Sequence, residues 1–274
     1  MRPVVLSKRL QAVAAMVTAG NSVCDVGCDH GFVPIWLVEH GISLRVLAMD
    51  VRSGPLSAAG EHIAEHGMES CIETRLSDGL HNYNIGEADT LICAGMGGGL
   101  MMRILSEDRD KTASFRELIL QPQSEIERFR AGLREMGYQI ADEQMIEEDG
   151  KFYPMMRIDT ELCKLKEVNG SHNVGLNHDD AACTRNNDML FDDIADNNTL
   201  CKLIDRYGGL LLQRKDRTLA AYLRREERIY GEILAKLQTE GLSDVKRGRR
   251  YTEVSKLRDE CRIAMQIVAD CPQT

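Results

Sequence analysis

The run Asp25-Val26-Gly27-Cys28-Asp29-His30-Gly31 sets two glycines and two carboxylates between a short apolar stretch, Ser22 to Val26, and a helix-compatible stretch starting near Val33-Pro34. A strand-to-helix turn of this kind is a ligand position in open α/β sheets, where Gly27 and Gly31 let the backbone turn tightly and approach a ligand. The middle glycine of the G-x-G-x-x-G pattern is absent, and Asp29 lies beside the turn. A dinucleotide pyrophosphate would be repelled by that carboxylate. A cofactor carrying an ammonium and a sulfonium, S-adenosylmethionine, would be attracted to it. Taken alone, the run is also compatible with a plain structural loop.

Further acids recur at strand ends. Leu44 to Met49 reads as a short apolar strand ending in Asp50, with Val51 next; Asp50 falls 23 positions after Gly27 (50 − 27), close to the spacing of an acid that accepts hydrogen bonds from a ribose diol. Asp78-Gly79-Leu80 follows a third candidate strand at Ile72 to Arg75 and could receive an adenine amino group. A fourth strand, Thr90 to Ala94, runs into Gly95-Met96-Gly97-Gly98-Gly99, a second place where missing side chains let something flat lie against backbone. The cofactor-binding set expected from these runs is Asp25, Gly27, Cys28, Asp29, Gly31, Asp50, Val51, Asp78, Gly79, Gly95 and Met96.

The elements that must position these residues alternate between strand and helix. Leu6, Leu10, Val13 and Val17 recur at helical spacing, Gly20-Asn21 stops that helix, and the helix is expected to lie across the sheet. Ser53-Gly54-Pro55 opens a helix that runs to about Glu65 and ends at Gly67. Leu118 to Gln121 is a fifth strand closed by Pro122, and Ser124 with Glu127 forms a capping box for a helix that stops at Gly137. Tyr138 to Glu148 and Phe152 to Asp159, joined by Asp149-Gly150, form a hairpin. Five parallel strands and an antiparallel hairpin predict an α/β, Rossmann-like, seven-stranded class I methyltransferase sheet with its ligand at the carboxyl ends of the strands.

Beyond about residue 163 the composition changes. Residues 164–200 read as a polar insertion or linker, in which His172, His178 and Asp179-Asp180 are better explained by a polar loop than by a metal site. Residues 201–274 read as a helical unit, so the expected boundaries are 1–163, 164–200 and 201–274. Leu219, Leu223, Tyr230, Ile233 and Leu237, then Val254, Leu257, Cys261, Ala264 and Val268, predict an antiparallel helical hairpin resembling a short coiled coil. Its connection contains Lys246-Arg247-Gly248-Arg249-Arg250, either a solvated turn or a phosphate clamp.

The net charge of −9 at first disfavours a polyanionic partner, but it is segregated. Arg206 to Arg262 holds 15 Lys/Arg against 9 Asp/Glu, or +6, which leaves −9 − 6 = −15 on the remainder. A basic appendage on an acidic body is a possible footprint for a nucleic acid backbone, and equally for a solvated helix face. No apolar run approaches the roughly 20 residues a membrane span needs, and Met1 to Leu10 carries no signal-peptide pattern, so a cytoplasmic location is expected. Nine cysteines read as reduced thiols; Cys24 and Cys28 are the only close pair, spaced C-x3-C, and no requirement for a metal is expected.

With these pieces placed, the sequence resembles the bacterial tRNA (adenine(22)-N(1))-methyltransferases, the TrmK type. The resemblance rests on Leu6-Ser7-Lys8-Arg9-Leu10, the Asp25 to Gly31 turn with Pro34, Asp78-Gly79-Leu80, Ala94-Gly95-Met96-Gly97-Gly98, Leu120-Gln121-Pro122-Gln123 and Glu148-Asp149-Gly150-Lys151-Phe152-Tyr153. The family usually has Asn where Gln123 stands, and the stretch from Lys164 to Asn198 is longer than expected. The resemblance implies tRNA as partner, S-adenosylmethionine as cofactor, and Arg9 as partner of the methionine carboxylate.

Adenine N1 has a lone pair and no proton to remove, so positioning carries most of the work, and Asp29, with His30 beside it, is the candidate catalytic group that stabilises the cationic product; the alternative is that Asp29 only holds the methionine ammonium and His30 only orders the turn. Exocyclic amine methyltransferases resemble one another in an Asn/Asp-Pro-Pro-aromatic run at the fourth strand, where this chain has Gly95-Met96-Gly97-Gly98. Lys246, Arg247, Arg249 and Arg250 are the candidate RNA-binding residues. The alternatives are a methyltransferase acting on another RNA, a protein or a small molecule, and a noncatalytic S-adenosylmethionine-binding module; an NAD oxidoreductase conflicts with Asp29.

Overall fold

The computed structural model describes residues 3–163, 197–239 and 245–269. The chain divides into two compact units, Met1–Gly175 and Leu176–Thr274. Most of the expected linker, with His172 and His178, lies outside the described residues.

Seven strands of the first unit form one sheet in the order β3-β2-β1-β4-β5-β7-β6. They are β1 Val23–Val26, β2 Val46–Asp50, β3 Ile72–Leu76, β4 Thr90–Met96, β5 Glu117–Pro122, β6 Ile140–Glu148 and β7 Lys151–Asp159. The first five pair in parallel, and β7 joins β5 antiparallel. The β6–β7 hairpin turns at Asp149 and Gly150, both at positive φ (50° and 69°), the backbone that an Asp-Gly turn supplies at low cost.

The strands are apolar on both faces because helices cover both. Val46, Ala48, Ile92 and Ile119 face one core with α1 (Lys8–Ala15), α2 (Phe32–Glu39) and α3 (Ser53–Glu65). Their chain neighbours Leu47, Met49, Leu91, Cys93, Leu118 and Leu120 face the other with α4 (Gly98–Glu107) and α6 (Ile126–Glu135), α5 being the single turn Arg109–Thr112. Leu6, Val13 and Val17 join the first core, so the first helix lies on the sheet as its spacing implies, although regular helix ends at Ala15.

Two local expectations fail. Ser124 does not cap α6: the N-cap is Glu125, at φ 54° with no side-chain capping bond, because Ser124 instead turns its carbonyl to the Gly98 amide at 3.1 Å. Lys246 to Arg250 do not form the connection between the last helices. They lie in the first turns of α10 (Val245–Ala269), the last helix after α7 (Asn197–Tyr207), α8 (Gly209–Gln213) and α9 (Arg217–Thr239).

Contacts in the second unit fix the direction of that hairpin. Gln238 meets Tyr251, Glu227 meets Arg258, and Cys261 meets the Leu223 carbonyl, so residue numbers fall along α9 as they rise along α10. Leu219, Leu223, Tyr230 and Leu234 are buried on α9, and Val254, Cys261, Ala264 and Val268 on α10. Leu234 is buried on α9 too, while Ile233 and Leu237 are half-buried. Six described cysteines are free, whereas Cys201 is disulfide-bonded, contrary to the expectation of thiols throughout.

Gly31 shows how the turn after β1 is tied to the helices. It caps α2 at φ 75°, and a Cβ there would stand 3.0 Å from the Ala59 Cβ of α3. Gly41 shares the left-handed backbone (φ 63°) but faces open space. Gly41→Ala is expected to cost about 1–2 kcal/mol from backbone strain, and Gly31→Ala more, because the methyl also displaces α3. Urea denaturation checks this; equal losses would show that the α2–α3 contact yields freely.

Candidate functional site

A cavity of about 650 Å³ opens at the carboxyl ends of β1, β2, β3 and β4. Of the sequence-predicted cofactor residues it is lined by Arg9, Asp25, Gly27, Cys28, Asp29, Asp50, Val51, Asp78, Gly79, Gly95 and Met96, and His30 lines it too. Gly31 does not. Its glycine requirement comes from the helix cap and Ala59.

The end of β2 closes the turn after β1. The Gly27 and Cys28 amides both donate to the Met49 carbonyl (2.8 and 3.0 Å), and the Asp29 amide donates to Asp50 Oδ2 at 3.2 Å. Three successive N–H groups that could have cradled a phosphate are therefore already used. Asp50 also accepts from the Arg52 amide at 2.9 Å, and each of its oxygens keeps a lone pair for a hydroxyl group.

Asp25 behaves differently. It is buried, and no hydrogen bond to its carboxylate is found among the described residues. Burial, reinforced by the nearby Asp50 carboxylate, pushes it up to about 7. A buried carboxylate without a donor at a cavity wall is a receptor for a cationic group. The neighbouring Cys28 thiol is also pushed up, by burial first and then by Asp25, so it stays protonated and inert.

Asp29 stands at the rim, more than half exposed, at φ 51°. A left-handed backbone at a non-glycine residue costs about 1–3 kcal/mol and holds only where neighbours impose it. The bond from its amide to Asp50 does so here. Its carboxylate lies 3.6 Å from Arg52 and 3.8 Å from His30.

Arg9 gathers three distant segments. Its guanidinium donates to the buried Gln121 at 2.6 Å and lies over the Tyr153 ring (5.4 Å), while its amide donates to Glu148 at 3.2 Å. These partners come from β5 and the β6–β7 hairpin, both of which carry motifs of the family resemblance. On the far side, Asp78 is held by a bidentate pair with Arg103 of α4 (2.8 and 3.3 Å), which draws its carboxyl below the usual range. Ser77 shapes that turn by donating to the Gly79 carbonyl and accepting from the Asn82 amide.

The glycines after β4 divide in role. Gly95 sits at a register shift in the β4–β5 pairing with φ 84°, and a Cβ there would lie 3.7 Å from the cavity-lining side chains of Arg9 and Gln123. Gly97, Gly98 and Gly99 instead give room to the Ser124-Glu125 turn; a Cβ at Gly98 would lie 2.6 Å from the Ser124 carbonyl. Glu125 accepts from the Gly99 amide, so a side chain of the protein covers the start of α4. The expectation that the whole glycine run faces a ligand is thus corrected to Gly95 and Met96.

Sequence reasoning missed Arg52, Phe32, Leu100, Arg103, Ile104 and the cavity side of Gln123. Arg52 was the most accessible of these, standing two residues after Asp50. Arg103 carried no local signal. In the second unit, Arg249 and Arg250 pair loosely with Glu253 on an exposed face, and Lys246 and Arg247 are exposed on the same first turns. No group of His, Cys, Asp and Glu suited to a metal occurs among the described residues, and no described helix is long and apolar enough to cross a membrane.

Residues 6–156 match the family model described as a methyltransferase domain. The tRNA (adenine(22)-N(1))-methyltransferase of Bacillus subtilis is 36% identical over 156 residues, a stretch that spans 57% of this chain and 66% of that protein. Among solved structures, the B. subtilis m1A22 tRNA methyltransferase TrmK superposes with a TM-score of 0.73 at 25% identity, covering 96% of this chain and 99% of that one. Streptococcus pneumoniae Sp1610 in complex with S-adenosyl-L-methionine gives 0.71 at 26% identity over 95% and 100%. Sheet order, cavity position and these likenesses agree, and the chain belongs to the methyltransferase-domain family and, within it, to the TrmK family of tRNA (adenine(22)-N(1))-methyltransferases.

Proposed function

We propose that this chain is an S-adenosylmethionine-dependent methyltransferase that methylates N1 of the adenine at tRNA position 22, acting in the cytoplasm. The observation that carries the reading is the buried Asp25 carboxylate, without a donor among the described residues, beneath a turn whose amides are already taken. That arrangement welcomes an ammonium and offers nothing to a pyrophosphate.

When bound, the cofactor supplies an electrophilic methyl group on a sulfonium. Asp25 receives its ammonium and Arg9, held by Gln121 and Tyr153, its carboxylate. Asp50 would accept from the ribose diol, and Val51 and the Asp78-Gly79 turn, which line the same cavity, would hold the adenine. Attack by N1 requires alignment rather than a base. Asp29, at the cavity mouth, stabilises the positive charge that develops on the methylated ring, with His30 beside it.

An adenine inside folded tRNA must leave its stack first, at a cost of a few kcal/mol. Phosphate contacts from the basic start of α10 help to offset it. Incubation with labelled cofactor and bulk bacterial tRNA, followed by nucleoside analysis, is expected to yield 1-methyladenosine; transfer to another nucleoside, or none, defeats the reading. Replacing Lys246, Arg247, Arg249 and Arg250 together by alanine should raise the KM for tRNA and flatten its salt dependence by about 0.7–0.9 in log–log slope for each phosphate no longer neutralised. Cofactor affinity should not change. An unaltered salt slope removes these residues from the RNA interface.

Asp25 also predicts a pH dependence. The free protein binds a proton there below about pH 7, and the ammonium requires the ionised form, so binding releases that proton. Cofactor affinity measured by calorimetry should rise with pH up to about 7 and then level, falling by up to about tenfold per unit below it. Asp25→Asn should bind more weakly and lose the pH dependence. A wild-type profile that is flat between pH 5.5 and 8.5 would exclude Asp25 as the ammonium's partner.

A further inference from the structure

We propose that His30, Phe32 and His62 form a stacking platform for the face of the nucleobase that is taken out of the tRNA. The proposal rests on the methyl-transfer reading above and adds the surface on which the acceptor base lies.

Phe32 opens α2, and the five residues that follow it, Val33 to Leu37, are buried. Phe32 itself is 41% exposed, and it lines the cavity together with His30, Asp29 and Met96. One exposed apolar residue means little by itself. Here the ring is built into a cluster. His62 of α3 stacks against it with centroids 4.9 Å apart and planes at 22°, and His30 stacks at 6.0 Å and 29°. The His30 and His62 rings are themselves 6.0 Å apart.

A backbone contact holds the cluster. His62 Nδ1 lies 3.0 Å from the His30 carbonyl; a carbonyl only accepts, so Nδ1 carries the proton and the ring's rotation is pinned. Gly31 between them brings α2 against Ala59 of α3, which sets the spacing of the two helices that supply Phe32 and His62. The outcome is a half-exposed aromatic surface at the mouth of the cavity, next to the rim carboxylate Asp29.

An extruded base needs such a surface. Outside its own stack, its π faces lose their partners, and aromatic side chains replace them at about 1–3 kcal/mol per base. The end of β4 cannot supply the ring, since it carries Gly95, Met96, Gly97 and Gly98. The turn after β1 supplies it instead, on the same short segment as Asp29. A base lying on Phe32 would then present its edge to the group that stabilises its new charge.

The test uses the full chain, a tRNA substrate and three variants: Phe32→Ala, Phe32→Leu and Phe32→Trp. Phe32→Ala is expected to lower kcat/KM for tRNA about 5- to 150-fold, the equivalent of one base stack, while its cofactor affinity by calorimetry moves less than about twofold. Phe32→Leu, with similar bulk but no π face, should remain impaired, and Phe32→Trp should recover activity to within about threefold of wild type. Retained cofactor binding shows that each variant is folded. An active wild type with Phe32→Ala or Phe32→Leu at full rate overturns the platform alone, as does an equal loss of cofactor affinity, which would assign Phe32 to the cofactor. A wild type that transfers no methyl group to tRNA overturns the functional reading, and the platform with it.

Discussion

The carboxyl end of β2 holds the turn that follows β1, and the site is organised around that tie. The Met49 carbonyl takes the Gly27 and Cys28 amides, and the Asp50 carboxylate takes the Asp29 amide. With its donors satisfied internally, the turn presents carboxylates rather than N–H groups to the cavity. The same bonds impose the left-handed backbone at Asp29 that sets its side chain at the rim. A turn of similar sequence with free amides would be an anion site; this one, in the function proposed, serves a cation.

Around that core, several of the charged side chains are held in pairs. Asp78 is bound to Arg103, Arg52 lies near both Asp29 and Asp50, and Arg9 is held by Gln121 against Tyr153. Among the described residues, Asp25 has no such partner. In the function proposed, this carboxylate gives a ligand ammonium a place to go, and the fixed arginine gives its carboxylate another. Orientation of a zwitterionic end group follows from these two side chains together.

The aromatic cluster at the mouth adds a different kind of contact. Its π faces accept any planar base, so it supports capture of an extruded ring, whereas discrimination among bases must come from edge contacts such as those available at Asp29. In the second unit, the positive excess between Arg206 and Arg262 is partly consumed by ion pairs such as Arg258 with Glu227 and Arg206 with Glu260. Both pairs are partly buried and serve the packing of the helical unit, which leaves the exposed basic start of α10 as the stretch more accessible to phosphate.

Much of the fold could be read from the chain because the signals are local. Alternating apolar strands, the Asp149-Gly150 turn and the glycines ending helices each act within a few residues, and they placed all seven strands to within a few positions. The acids at strand ends were legible for the same reason: a strand's terminus and the residue after it are sequence neighbours. The capping assignment at Ser124 and the ligand role of Gly97 to Gly99 failed because those residues serve each other across 26 positions, with Ser124 and Glu125 occupying the space and donors that the glycines provide. Likewise the pairing of Asp78 with Arg103, the convergence of β5 and the hairpin on Arg9, and the stacking of Phe32 on His62 join segments with no local signature. Sequence determined which residues could do chemistry and on which elements they sit. Only the tertiary structure decided which of them are already partnered and which remain open to a ligand, because partnership depends on distances between elements that no local pattern encodes.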